Sequence, residues 1–180
     1  MRLPACQPLA FLVAGVLICC AVLRAQVAAP QTTNFASLDY FNEKCARCHG
    51  NYGSFYGPNF AKGKTDEQLA QVVKEMCDGP AQAPISPHDL EILVAWHRAL
   101  RDGKPFVAAV NFDTGVLSGE ASPGSTVSLE TTTGEQANVP LNGHKWSAGI
   151  PEGVQLARIR VQSYGQTTEL DPKTAPYAPK

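Results

Sequence analysis

The spacing of hydrophobic and polar positions changes character twice along this chain. Residues 9–23 are apolar and uncharged except for scattered polar atoms of two cysteines. From Ser37 to about residue 102 the apolar positions recur every three or four residues, the period of helices that bury one face. Past Gly103-Lys104-Pro105 the period falls to two, in short β-branched and aromatic runs divided by Gly, Pro and Asn. The helical stretch predicts three helices. The first starts near Ser37 with that serine as N-cap, sets Leu38, Phe41, Cys45 and Cys48 on one side, and ends at Gly50. The second opens on Thr65-Asp66-Glu67-Gln68, a capping-box sequence, and buries Leu69, Val72, Val73 and Met76. The third opens on Ser86-Pro87, cap and first helical residue, and carries Leu90, Leu93, Val94, Trp96 and Leu100 to Gly103.

The second half predicts seven strands, at 106–112, 115–119, 126–130, 137–141, 145–150, 155–164 and 167–170. Alternation is clearest where Ala157, Ile159 and Val161 face inwards and Arg158, Arg160 and Gln162 outwards. Ser122-Pro123-Gly124-Ser125 and Leu141-Asn142-Gly143-His144 are turn sequences. Short strands with turns at this spacing predict an antiparallel sandwich. The expected organisation is therefore a leader at 1–25, a helical domain at 35–103, a β domain at 106–171 and a Pro-rich tail at 172–180.

The leader changes the chemical setting. Arg2, the apolar run and Leu23-Arg24-Ala25 make the pattern of a secretory signal peptide. The run is short of the roughly 20 residues that a membrane helix needs. The expected location is periplasmic or exported, with membrane attachment only if the leader is retained. Removing Arg2 and Arg24 leaves 13 basic against 16 acidic residues, a net charge of −3. No basic stripe is present, and a nucleic-acid partner is not expected.

One short motif then outweighs the composition. Cys45-Ala46-Arg47-Cys48-His49 reads C-x-x-C-H, the attachment sequence of a c-type haem. Each thiol can add its S–H across one haem vinyl group, and His49 is then placed to ligate iron as the proximal ligand. A thioredoxin-like dithiol would want a βαβ context, and a zinc site a second ligand pair. Cys6, Cys19, Cys20 and Cys77 supply neither. One covalently bound haem c is expected. Once the leader is removed, Cys77 is an odd thiol, read as a buried small hydrophobe, an intermolecular disulfide partner or an iron ligand.

Residues 35–103 resemble a small class I c-type cytochrome. Phe41, four residues before Cys45, matches that family's aromatic on the first helix, and Trp96 matches the aromatic that packs against it from the last. Gly57-Pro58-Asn59-Phe60 is similar to the family's Gly-Pro-x-Leu segment, which implies that the Pro58 carbonyl accepts a hydrogen bond from His49. Ser37 departs from the pattern, standing where a helix-crossing glycine is often found. Gly119-Glu120-Ala121-Ser122-Pro123-Gly124 and Gly143-His144-Lys145-Trp146 resemble bacterial Ig-like modules. The fold these resemblances imply is an all-α class I cytochrome c domain followed by an all-β immunoglobulin-like sandwich.

The family also implies a sixth iron ligand, and Met76 is the methionine left once Met1 departs with the leader. His88, Cys77 and an open site are the alternatives, while His97 is read as a solvated helix-face residue. Tyr52, Phe55, Tyr56 and Phe60 either line the haem edge or pack a glycine-rich loop. In the β domain, His144 is expected to be exposed beside a turn. Glu120, Glu130 and Glu135 are expected to be solvated, without a calcium-loop pattern. His49 with Met76 implies an electron carrier between exported redox proteins, a periplasmic dehydrogenase or a terminal acceptor, with the sandwich for docking. An open site would imply a gas sensor or small peroxidase, although only Asp78 offers a nearby carboxylate. A haem subunit dedicated to one enzyme complex is a third expectation.

Overall fold

The structure, a computed structural model, describes residues 28–179, so the leader at 1–25 lies outside the described residues. Four helices come first: α1 (Ser37–Lys44), α2 (Ala46–His49), α3 (Asp66–Asp78) and α4 (Pro87–Asp102). Cys45 interrupts the expected single first helix, at φ −116° and ψ −27°. Gly50 then turns the chain at φ 70°, in a place where a Cβ would strike the side chains of Ser54 and Phe55. The capping box of α3 is formed: Thr65 Oγ accepts from the Gln68 N–H at 3.3 Å, and Gln68 Oε1 accepts from the Thr65 N–H at 3.0 Å. Ser86 Oγ caps α4 by accepting from the Asp89 N–H at 3.1 Å, and Gly103 closes that helix in the left-handed region.

Nine strands follow: β1 (Val107–Asp113), β2 (Val116–Ala121), β3 (Thr126–Thr131), β4 (Gln136–Val139), β5 (Leu141–Asn142), β6 (Lys145–Gly149), β7 (Leu156–Ser163), β8 (Gln166–Leu170) and β9 (Tyr177–Ala178). They form two antiparallel sheets, in the order β5-β6-β2-β1-β9 and β4-β3-β7-β8. Val107, Leu117 and Trp146 of the first interdigitate with Val127, Ile159 and Val161 of the second in one apolar core. The run expected as one strand at 137–141 is divided: Pro140, lacking an N–H, stands where the chain leaves one sheet for the other. The segment read as a Pro-rich tail supplies β9, which pairs with Val107 and Ala108. Gly119 is required by close approach, since a Cβ there would lie 2.0 Å from the Ala108 carbonyl oxygen and 2.4 Å from the Trp146 ring.

The expected all-α cytochrome domain followed by a separate all-β sandwich is corrected by four observations. The helical part is four short helices, of 8, 4, 13 and 16 residues, with about as much of the chain in strands. Its apolar core is not its own: Leu38, Phe41, Leu93 and Trp96 share it with Phe106, Ala108 and Tyr177 from the β half. Trp96, expected to meet Phe41, packs edge-on against Phe106 at 5.8 Å, and the α4 ring that meets Phe41 is His97 at 5.5 Å. The segment before α1 lies on the first sheet too, where the N–H groups of Thr33 and Asn34 donate to the carbonyls of Ala109 and Val110 at 2.9 Å each. Periodicity reports which face of an element is buried, not which element covers it, and here strands cover a helix face.

The start of α1 shows the same sharing. Its N-cap position is Ala36, whose side chain offers no cap, and Ser37 is already helical rather than the cap. Fully buried Glu120 of β2 takes the role instead. Its Oε2 accepts from the Leu38 N–H at 2.9 Å and from the Ser37 hydroxyl at 3.3 Å, and its Oε1 accepts from the Asp39 N–H at 3.1 Å. Glu120, expected to be solvated, is thus an interior cap supplied by the sandwich.

Candidate functional site

Side chains from α1, α2, α3, α4 and the loop after Gly50 meet in one open, mainly apolar cleft. Its lining includes Phe41, Cys45, His49, Tyr56, Phe60, Val73, Met76, Cys77, Leu93 and His97. The α1 period places Phe41 on the floor, and the kink at Cys45 carries the α2 turn to the rim. Cys45 is half-buried there, Cys48 is exposed and His49 is half-buried. The His49 ring lies 6.5 Å from that of Phe41 and 5.0 Å from that of Tyr56, which is stacked on Phe60 at 4.0 Å. Of the four loop aromatics, Tyr56 and Phe60 line the cleft, Phe55 is 74 % exposed, and Tyr52 turns towards the sandwich.

Met76 lies on α3, which runs on to Asp78, as its spacing suggested. It is not buried there: Met76 is 44 % exposed at the mouth of the cleft, while Cys77 beside it is buried. Burial of Cys77 fits the small-hydrophobe reading and pushes its thiol up from the ordinary range. Burial also pushes the Cys45 thiol up to about 11, aided by its neighbours Cys77 and Cys48. A redox dithiol works through a depressed thiol, and Cys45 moves in the opposite direction.

His97, read as solvated, is buried on the wall of the cleft. Its Nδ1–H donates to the Leu93 carbonyl at 2.8 Å, which leaves Nε2 to accept from the Tyr56 hydroxyl at 3.3 Å. Desolvation by burial pushes its pKa down to about 4, so the ring is neutral at pH 7. His88 is exposed at the start of α4, away from the lining residues. Pro58 is exposed in the turn between Gly57 and Phe60, and it is not among the lining residues. The structure therefore brings Cys45, His49 and Met76 together, keeps Cys48 at the rim and leaves Pro58 apart. The local signal that could have found His97 is its place one residue past Trp96 on a helix that is apolar over most of its circumference, from Ile92 to Ala99.

Sulfur and imidazole on an apolar wall are donors suited to iron. Compared with protein-family models, curated proteins and solved structures, the chain matches none.

Proposed function

We propose that this chain is an exported carrier of single electrons that holds one c-type haem through Cys45 and Cys48. The observation that carries the reading is that Cys45, His49 and Met76, which lie on three different helices or their junctions, line the same apolar cleft. The donor set fits the group. Cys45 and Cys48 supply the two thiols that thioether attachment needs, His49 an imidazole, and Met76 an exposed thioether facing the same space. When bound, haem supplies a one-electron ferric–ferrous couple. His49 and Met76 would be the residues that hold the iron, and Phe41, Tyr56 and Leu93 would keep water from the buried side. Attachment at exposed Cys48 would keep one edge of the site at the surface, where a redox partner could approach. The partners proposed are an exported dehydrogenase as donor or a terminal acceptor.

The visible spectrum of the dithionite-reduced protein, with and without carbon monoxide, tests this. A sharp low-spin spectrum indifferent to the gas is expected, and Met76→Ala should make it gas-sensitive. A purified chain without covalent haem, or a Met76→Ala protein still indifferent to the gas, counts against the respective assignment. The pair of His97 and Tyr56 in the cleft favours a second reading: small-molecule binding or peroxide turnover at an open iron position, with His97 taking and Tyr56 relaying a proton. That reading requires carbon monoxide to alter the unmodified protein.

A further inference from the structure

A polar cluster joins the sandwich to the attachment segment, and electron carriage through the cleft makes no use of it. His144, expected to be exposed, is buried at the turn between β5 and β6. Its Nε2 lies 2.9 Å from Asp39 Oδ1 and 3.4 Å from Glu120 Oε1, and its Nδ1 lies 3.0 Å from the Tyr52 hydroxyl. Both neighbours of Nε2 are carboxylates, so that nitrogen carries the proton and donates. Lys145 Nζ sits 2.7 Å from Asp39 Oδ2 and completes the charged surroundings. Asp39, Glu120 and His144 have the spacing of a cation cage. The oxygens of Glu120 are already occupied by donors from Ser37, Leu38 and Asp39, and Lys145 supplies the positive charge.

What the cluster holds is the segment that carries the haem motif. Glu120 grips its upstream flank, the first turn of α1, eight residues before Cys45 begins. Tyr52, three residues after His49, is its downstream flank. Tyr52 stands at φ 55°, a left-handed conformation that costs a side-chain-bearing residue about 1–2 kcal/mol. It is held there from both ends. Its N–H donates to Asn42 Oδ1 of α1 at 2.9 Å, and its phenol is bonded to His144. Strained backbone next to a functional motif persists where neighbours over-determine it.

We propose that Glu120 and His144 are positioning residues for the haem-attachment segment, fixing Ser37–Asp39 on one side and Tyr52 on the other. The sandwich is then a structural part of the haem site, beyond any docking role. The inference rests on the haem reading only in its spectroscopic arm.

The test uses the full chain with Tyr52→Phe, which deletes one oxygen, and His144→Phe. Amide exchange across residues 45–52 should quicken roughly fivefold in each, the loss of about one hydrogen bond, while exchange in β7 stays unchanged. In the haem-carrying protein the midpoint potential should shift in Tyr52→Phe, while unfolding in urea loses only the roughly 1 kcal/mol of that one bond. Exchange across 45–52 equal to wild type in Tyr52→Phe overturns the proposal, and so does an unchanged midpoint potential. Should His144→Phe fail to fold, Tyr52→Phe alone decides. A wild-type chain that carries no haem refutes the electron-carrier reading, and the exchange arm still decides this one.

Discussion

Two histidines are buried to nearly the same degree, His97 at 5 % and His144 at 8 % exposure, in opposite surroundings. His97 stands in the cleft among Phe41, Tyr56 and Phe60, with one backbone carbonyl and one phenol as partners. His144 stands at the junction between two carboxylates, with a lysine and a phenol close by. The cleft is open and mainly apolar. The junction is polar, with the buried Glu120 oxygens matched to donors while Asp39 and Lys145 reach solvent at its edge. One region is built to receive and the other to hold. They touch the same stretch of chain, because α1 starts at the junction and leads into the cleft at Cys45.

The sharpest way to break this comparison is to empty the junction. Glu120→Ala leaves the Ser37 hydroxyl and the Leu38 and Asp39 N–H groups without their acceptor in a buried place. Two or three unmet donors and a small cavity should lower stability by about 3 kcal/mol, a large part of the 5–15 kcal/mol of an ordinary domain. Urea unfolding read by tryptophan fluorescence measures it, since Trp96 and Trp146 lie on the two sides of the junction. A loss below about 1 kcal/mol would mean that water replaces Glu120 at little cost, and the junction would be an ordinary surface contact.

The cleft histidine should show itself through pH. In the folded chain His97 stays neutral down to about pH 4, while its unfolded counterpart takes up a proton below about 6.5. Between those values the unfolded state binds more protons, so stability falls as pH falls from 6.5 to 4. Shifts of this size correspond to about 3 kcal/mol in full, with only part of it reached by pH 5. His97→Leu, of similar volume, should flatten that part of the stability profile while leaving neutral-pH stability nearly unchanged. Equal acid limbs in the two proteins would show that His97 is hydrated in solution.

The cleft was largely legible in the sequence and the junction was not. The capping residues Thr65, Gln68 and Ser86 work over three positions, so a local pattern announces them. The same holds for Phe41 and Cys45, four residues apart on one helix face. Glu120 meets Ser37 across 83 positions, and Tyr52 meets His144 across 92. No period or motif spans such distances. The traces they leave are slight: Ala36 before α1 is a poor cap, while Glu120 falls on the face of β2 opposite Leu117 and Ala121, where an acidic residue is unremarkable. The all-α expectation failed for the same reason. A helix face looks identical in sequence whether a helix or a strand covers it, and Phe106 and Tyr177 do the covering here. Met76 misled in another way, since its place on the apolar period of α3 said nothing of the open mouth it faces.

A third polar contact, exposed this time, supplies the control. Asp66 at the start of α3 meets Arg101 at 2.8 Å and Arg98 at 3.2 Å, tying together two walls of the cleft. The arginines beside it, Arg101 first, hold the Asp66 carboxyl below the usual carboxylate range. The geometry is as good as that of the junction. The difference is water: the Asp66 side chain is 48 % exposed, where that of Glu120 is 2 %. Screening and side-chain entropy should reduce the contribution of the pair to about 0.5 kcal/mol. Asp66→Asn keeps an acceptor at the helix start and removes only the charge. Its small loss of stability should shrink further in about 1 M salt, where the Debye length is near 3 Å. A loss above about 2 kcal/mol that salt does not change would contradict the ranking, because it would mean that position in the fold, and not exposure, sets the strength of a polar contact in this chain.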